Sequence, residues 1–386
     1  MDLNYVNMPF EHKIHKKCDF QFMEKAEVDI VGSNTASVRR YTSKVEQTAY
    51  SDRVSELLGM EQEHGKPALM NHWFPGRQWS EACANPKPVQ MEFLTLAYND
   101  LRETIMGGLE KIPNARDQIY VMEDIANTSG VDGKKGLYKM NYSASAGIPY
   151  GVPKSRFVKA SEMQYDGISV PVELTDDMRQ DVKRMEDQLR KGLRVYTPHR
   201  ANRKDEAIKL GKAKVRVFSG TSMPYLFLMR KYFLSISVFM QEHPELFESA
   251  VGVNCYSREW SRLYTYIVTY GDNRIIAGDY EKYDQYVANM MTYAAFKILL
   301  IIARWAGFDD EDITIMIGLM TETCSPLYEC DGSWFIFAGS TPSCHSLTVV
   351  IYGIVNSMYA RIRFYVTRTE GSTCTFTAHV SFMSYG

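Results

Sequence analysis

The segment from Arg274 through Ile275, Ile276, Ala277 and Gly278 to Asp279 constrains this chain more than any other. Its apolar centre predicts a short buried strand that delivers one carboxylate at its tip. Asp284 follows five residues later, in the turn before a predicted helix over 288–306. Two acids so placed can divide their work. One can ligate a divalent cation, because Mg²⁺ takes oxygen ligands and keeps one or two carboxylates beside substrate phosphates. The other can accept a hydrogen bond from a substrate hydroxyl. Taken alone, the same spacing also describes a helix N-cap and a surface acid, so its weight depends on the surrounding segments.

Those segments alternate in type. Residues 328–337 place a central Asp331-Gly332 between aromatic flanks, which predicts a β-hairpin. Residues 346–366 read as a helix. Phe376, Ala378, Val380 and Phe382 then alternate with polar residues and predict a strand. The order strand, helix, hairpin, helix, strand is an α+β pattern.

Upstream, 89–109 reads as a helix with Met91, Leu94, Leu96, Ala97, Leu101 and Ile105 on one broad apolar side. A second helix begins after Thr175 as N-cap, with Asp176 and Asp177 at the positive end of its dipole. Met178, Val182, Met185 and Leu189 form its buried stripe and Gly192 stops it. Residues 222–249 hold one or two further helices, broken near His243-Pro244. Residues 1–70 are polar and weakly periodic, an extended arm or a loop-rich lobe.

The 386 residues, 45% hydrophobic and 23% charged, are enough for two or three lobes. A net charge of -2 rules out a chain that is basic throughout, so contact with nucleic acid must come from local patches. One such patch is present. Arg200, Arg203, Lys204, Lys209, Lys212, Lys214 and Arg216 face only Asp205 and Glu206 over the same stretch. This is a solvated charged loop or a phosphate clamp. The seven cysteines form no CxxC pair and no zinc-like quartet, which points to a reduced intracellular protein. The longest apolar run, 294–305, falls short of the roughly 20 residues that span a bilayer.

Together these residues resemble the RNA-dependent RNA polymerases of picorna-like positive-strand RNA viruses, especially the marine picorna-like viruses and dicistroviruses. Residues 278–284 resemble motif A, which implies Asp279 as catalytic metal ligand and Asp284 as reader of the ribose 2′-hydroxyl. Pro342-Ser343-Cys344-His345-Ser346-Leu347-Thr348 resembles motif B, which implies nucleotide-site roles for Ser343, Thr348 and Asn356. Two positions depart from that pattern: Cys344 stands at a family Gly, and Tyr352 stands at the family's ribose-selecting Asn. A Cys at a glycine position restricts φ and stiffens the loop. Lys204-Asp205-Glu206 with Lys214-Val215-Arg216 resembles motif F, implying phosphate contacts by Lys204 and Arg216 with Lys212 and Lys214 as RNA-facing helpers. Residues 143–151, with Ser145 and Gly147, resemble motif G at the template entry. The final Tyr385-Gly386 matches the opening of motif C, whose two aspartates would come next.

The resemblance implies an α+β right-hand polymerase fold with fingers and a partial palm, the thumb being absent. Its divisions would be a fingers extension over 1–140, fingers with motifs G and F over 141–270, and partial palm over 271–386. It implies Mg²⁺, with Mn²⁺ as a substitute, and nucleotidyl transfer from NTPs to an RNA 3′-end. Implied partners are template and nascent RNA, a protein primer and other viral replication proteins, in host cytoplasm at virus-induced membranes. Residues 1–386 alone are expected to be inactive, lacking the second metal-binding Asp. Two other readings share some of the same residues. A reverse transcriptase or DNA polymerase has the palm carboxylates, and an RNA-binding scaffold with a decayed palm would explain Cys344 and Tyr352.

Overall fold

The computed structural model describes residues 21–25, 43–67, 89–211, 216–281, 283–330, 333–337, 341–342, 345–368 and 375–385. The described helices are α1 Ser51–Leu58, α2 Met91–Leu109, α3 Asp124–Ser129, α4 Asp176–Arg190, α5 Met223–Glu242, α6 Pro244–Phe247, α7 Arg258–Ile267, α8 Tyr283–Tyr286, α9 Asn289–Ala306, α10 Asp310–Cys324 and α11 Thr348–Val366. The strands are β1 Gln21–Lys25, β2 His64–Gly65, β3 Val158–Ala160, β4 Val172–Leu174, β5 Pro198–Arg203, β6 Ile208–Lys209, β7 Val217–Gly220, β8 Leu327–Cys330 and β9 Ser333–Ile336.

The core is built on α5. Phe227, Leu228, Phe233, Ile236 and Phe239 point in several directions from it and are all buried. A helix apolar on nearly every side has to be surrounded, and α4, α9, α10 and α11 supply the surrounding residues. α11 lies along α2, where Leu94, Ala97, Leu101, Ile105 and Leu109 make the buried stripe. Met91 and Leu96, expected on that apolar side, are instead exposed (58% and 44%). The stripe is narrower than the broad side read from the sequence, because position 96 falls outside its 3.6-residue phase and Met91 is the first residue of the helix.

α4 starts and stops as its signals predict. Thr175 has extended backbone at the N-cap, but its hydroxyl makes no capping bond. At the other end Gly192 takes φ 70 and Leu193 N donates to Gln188 O at 3.0 Å, a left-handed stop that glycine adopts without Cβ strain.

The main sheet runs β1-β9-β8-β5-β7. The hairpin expected over 328–337 is β8 and β9, antiparallel with Tyr328 opposite Phe335; its Asp331-Gly332 tip lies outside the described residues. β8 also pairs parallel with β5, Arg200 opposite Glu329, and β5 pairs antiparallel with β7. The hairpin therefore completes a sheet begun about 130 residues earlier by the basic stretch.

Two expectations fail. Residues 274–279 form no strand and are exposed, with Ile276 at 96%. A buried strand needs a neighbour to take its N–H and C=O groups, and no described residue pairs with this one. Residues 376–382 form no strand either. They begin with a 3₁₀ turn, Phe376–Ala378, and their continuation makes one isolated parallel bridge, Ser249 to Ser384. Alternation states which faces a strand would show; it does not supply the partner. No described helix is long and apolar enough to cross a membrane.

Candidate active site

Asp279 is exposed, and its Oδ1 accepts from the Tyr280 amide at 2.8 Å. Asp284 sits in the single turn α8, and its backbone carbonyl accepts from Thr341 N at 3.0 Å. That contact joins the turn after Asp279 to the loop ahead of α11, 57 positions away in sequence. The same junction is closed by the Thr292 and Thr341 hydroxyls, 3.4 Å apart, and by the rings of Tyr283 and Tyr352, edge to face at 4.7 Å. Tyr352 at this position is therefore an aromatic wall packed on Tyr283, the residue before Asp284. Burial pushes the Tyr283 phenol up, and neighbouring tyrosines add to it. The Tyr283 hydroxyl and the amide oxygens of Asn289 and Asn356 are buried without partners among the described residues. Buried polar atoms left open are costly.

Thr348 opens α11. Its hydroxyl lies 3.1 Å from the His345 carbonyl and 3.4 Å from that of Pro342, which ties the loop across its own neck. Leu347 N donates to His345 Nδ1 at 3.2 Å. Ser343 and Cys344 lie outside the described residues.

The basic stretch is only partly a free cationic patch. Lys204 Nζ is 3.0 Å and Arg216 Nη1 3.3 Å from the two oxygens of Glu206, and Lys204 N donates to Arg216 O at 2.8 Å. These two cations, read as phosphate contacts, thus share one carboxylate, with Lys204 half-buried and Arg216 exposed. Arg200 is committed elsewhere, 2.7 Å from Glu329 on β8. Asp205 accepts from Ser43 Oγ at 2.6 Å and Lys44 N at 2.7 Å, tethering the N-terminal arm. Lys212 and Lys214 lie outside the described residues.

The 143–151 loop is fixed at its base. Ser145 Oγ accepts from Gly147 N at 3.1 Å. Gly147 has φ 76, and a Cβ there would fall 2.2 Å from the Thr221 carbonyl oxygen, so only glycine lets this loop lie on the start of α5. Met223 N donates to Ala146 O at 2.9 Å in the same contact.

Sequence reasoning missed several residues that hold these parts. Lys154 is buried, and its Nζ donates to Ser145 O at 2.8 Å, bracing the loop from below. Glu322 of α10 is fully buried and accepts from the amides of Val195, Tyr196 and Thr197 at 3.2, 3.1 and 2.7 Å, with Arg194 Nε at 3.3 Å. Burial pushes its carboxyl up, while those amides and Arg194 pull it down. The anchored turn leads directly into β5 and the basic stretch. His199 on β5 and His345 before α11 are buried neighbours. Burial, and for His199 also the His345 charge, pushes each imidazole down to about 3. The basic strand and the α11 loop therefore meet at two neutral rings. A lone His or Glu in an apolar context is the only trace such residues leave in sequence, and it does not name the partner.

A model of the viral RNA-dependent RNA polymerase family matches residues 84–386. The chain belongs to that family. It is 28% identical to the replicase polyprotein of Cricket paralysis virus over 62% of this chain and 14% of that protein. It is 29% identical to the RNA1 polyprotein of Tomato torrado virus over 70% of this chain and 13% of that one. Among solved structures it is similar to a Sicinivirus 3Dpol RNA-dependent RNA polymerase, with a TM-score of 0.60 at 16% identity, covering 81% of this chain and 62% of the other. The fold is thus an α+β polymerase fold, and the chain spans only a small part of its curated relatives.

Proposed function

We propose that the chain is part of an enzyme that adds nucleotides to an RNA 3′-end on an RNA template during viral genome replication. The observation that carries this reading is the Thr341–Asp284 contact. It brings the Asp279–Asp284 turn, the tied loop before Thr348 and the Tyr283–Tyr352 wall into one site, although they are dispersed in sequence. Residues 1–140 and 141–270 would serve as fingers, and 271–386 as palm.

Each side chain then has a physical task. Lys204 and Arg216 exchange their shared Glu206 carboxylate for the triphosphate, which neutralises the charge that phosphoryl transfer must accommodate. Ser145 and Gly147 let the template backbone lie close, with Lys212 and Lys214 as further RNA contacts. Asp284, Ser343, Thr348 and Asn356 orient the ribose and its base pair, and positioning of this kind is a large share of such catalysis. Asp279 offers hard oxygen ligands that fit Mg²⁺ or Mn²⁺; among the described residues no cluster of three potential ligands accompanies it. A divalent pair, when bound, would activate the primer hydroxyl and stabilise the leaving pyrophosphate. Partners would be template and nascent RNA, a protein primer and other replication proteins, in host cytoplasm at virus-induced membranes.

Template-directed primer extension tests the reading, with Mg²⁺ or Mn²⁺ as metal. The polymerase continued through the Asp-Asp that the resemblance places after Gly386 should elongate RNA. Asp279→Ala should abolish this and leave RNA binding in place. Elongation that survives Asp279→Ala, or preference for dNTPs, refutes it; no elongation by the continued chain favours the scaffold reading.

A further inference from the structure

Arg361 is fully buried, and it touches none of the residues assigned to substrate above. Its Nε donates to Asp100 on α2 at 2.7 Å. Its two Nη atoms donate to the two oxygens of Glu248 at 2.6 and 2.9 Å, a fork matched to a carboxylate. Burial alone would lower this guanidinium; Glu248 and Asp100 more than offset that and hold it above its ordinary range. A second set of donors satisfies Asp100: the Tyr365 hydroxyl at 2.6 Å and the Phe376 amide at 3.2 Å. Arg361 also lies 4.3 Å from the centre of the Phe376 ring.

Glu248 is not on a helix. It occupies the turn after α6 with φ 54, a conformation sparse for residues with a Cβ. The backbone of this turn grips the C-terminal segment on both sides of one residue: Ser384 N donates to Glu248 O at 3.0 Å, and Ala250 N donates to Ser384 O at 2.8 Å. Gly353 of α11 lies under the same turn, where an added Cβ would fall 2.7 Å from Ser249 Oγ. Tyr385, next along the chain, packs edge-on against Trp260 at 5.6 Å.

We propose that Arg361 is a positioning residue that clamps the Glu248 turn and thereby sets where the chain enters Tyr385 relative to α11. The mechanical claim stands on the contacts; its meaning for catalysis rests on the proposed reading of Tyr385-Gly386 as the approach to the catalytic hairpin. One helix then carries both Thr348, facing the nucleotide site, and the guanidinium that registers the incoming segment, so the two parts of the site share one reference.

Hydrogen exchange by mass spectrometry on the 386-residue chain, without RNA, nucleotide or metal, tests this. Arg361→Met should speed exchange in 248–250 and 380–385 by about tenfold or more, with α4 and α10 unchanged. Arg361→Lys, keeping the charge without the fork, should recover part of the protection. Unchanged exchange at 380–385, or uniform acceleration through the chain, overturns the proposal. Gly353→Ala perturbs the turn without touching the ion pairs. It should loosen Ser384 alone, and Ser249→Ala added to it should restore protection. If Arg361→Met does not fold, this pair decides, and wild-type exchange at Ser384 in Gly353→Ala overturns the proposal. Failure of primer extension would refute the catalytic reading and leave the exchange result intact.

Discussion

His199 and His345 show how much one buried ring can carry. Unfolded, each titrates at about 6.5; folded, each is pushed down to about 3. Between those values the unfolded chain binds protons that the folded chain cannot. The stability they contribute is complete above pH 6.5 and is lost as pH falls toward 3, at pH 5 by about 2 kcal/mol for each ring. Urea midpoints at pH 7 and pH 5 measure this. Replacing His345 by Asn should flatten the dependence by about one proton, and an unchanged slope would contradict the burial argument. His345 was visible in sequence as a loop histidine, but that β5 brings a second buried histidine within reach of its charge was not. Asp279, Asp284, Lys204 and Arg216 stood out in sequence as candidates because their residue types are unusual in their local patterns. Arg361 was not, since an arginine late in an apolar helix does not reveal acids 261 and 113 positions away.

At the scale of elements, what holds β5 is a helix cap working in reverse. Glu322, inside α10, gathers three amides of the turn that feeds the strand. Glu322→Gln keeps the volume and removes the charge that Arg194 and those amides complement. Its expected cost is about 1 to 3 kcal/mol, the penalty for leaving buried amides without a full acceptor, read as a lowered urea midpoint. Amides 195–197 should lose hydrogen-exchange protection at the same time. The helices over 89–109, 176–190, 222–249, 288–306 and 346–366 were readable from the 3.6-residue recurrence and their stops, as Gly192 shows. The strands over 274–279 and 376–382 were not, because periodicity describes one chain segment whereas a strand is a relation between two.

For the whole molecule, a net charge of -2 means that the proposed RNA contact has to come from local cations that the fold leaves accessible. Arg200 is taken up by Glu329, whereas Lys204 and Arg216 share Glu206 and remain accessible. Affinity for single-stranded RNA should therefore fall with salt at a modest slope. Lys204→Ala and Arg216→Ala should each reduce that slope by about 0.7, the counterion share of one phosphate contact. Arg200→Ala should leave the slope unchanged and lower stability instead. Fluorescence anisotropy over a salt series separates the outcomes.

The sequence by itself determined the helices over 89–109, 176–190, 222–249, 288–306 and 346–366 and the hairpin, and its motifs carried the resemblance to the family, because these depend on local spacing and residue chemistry. Tertiary structure alone decided which cations remain free, that Tyr352 becomes a wall on Tyr283, and that Arg361, Glu248 and Asp100 form one clamp. Those outcomes depend on the burial and pairing of residues distant in sequence. A charge taken out of water must find its partner wherever the packing of helices brings one.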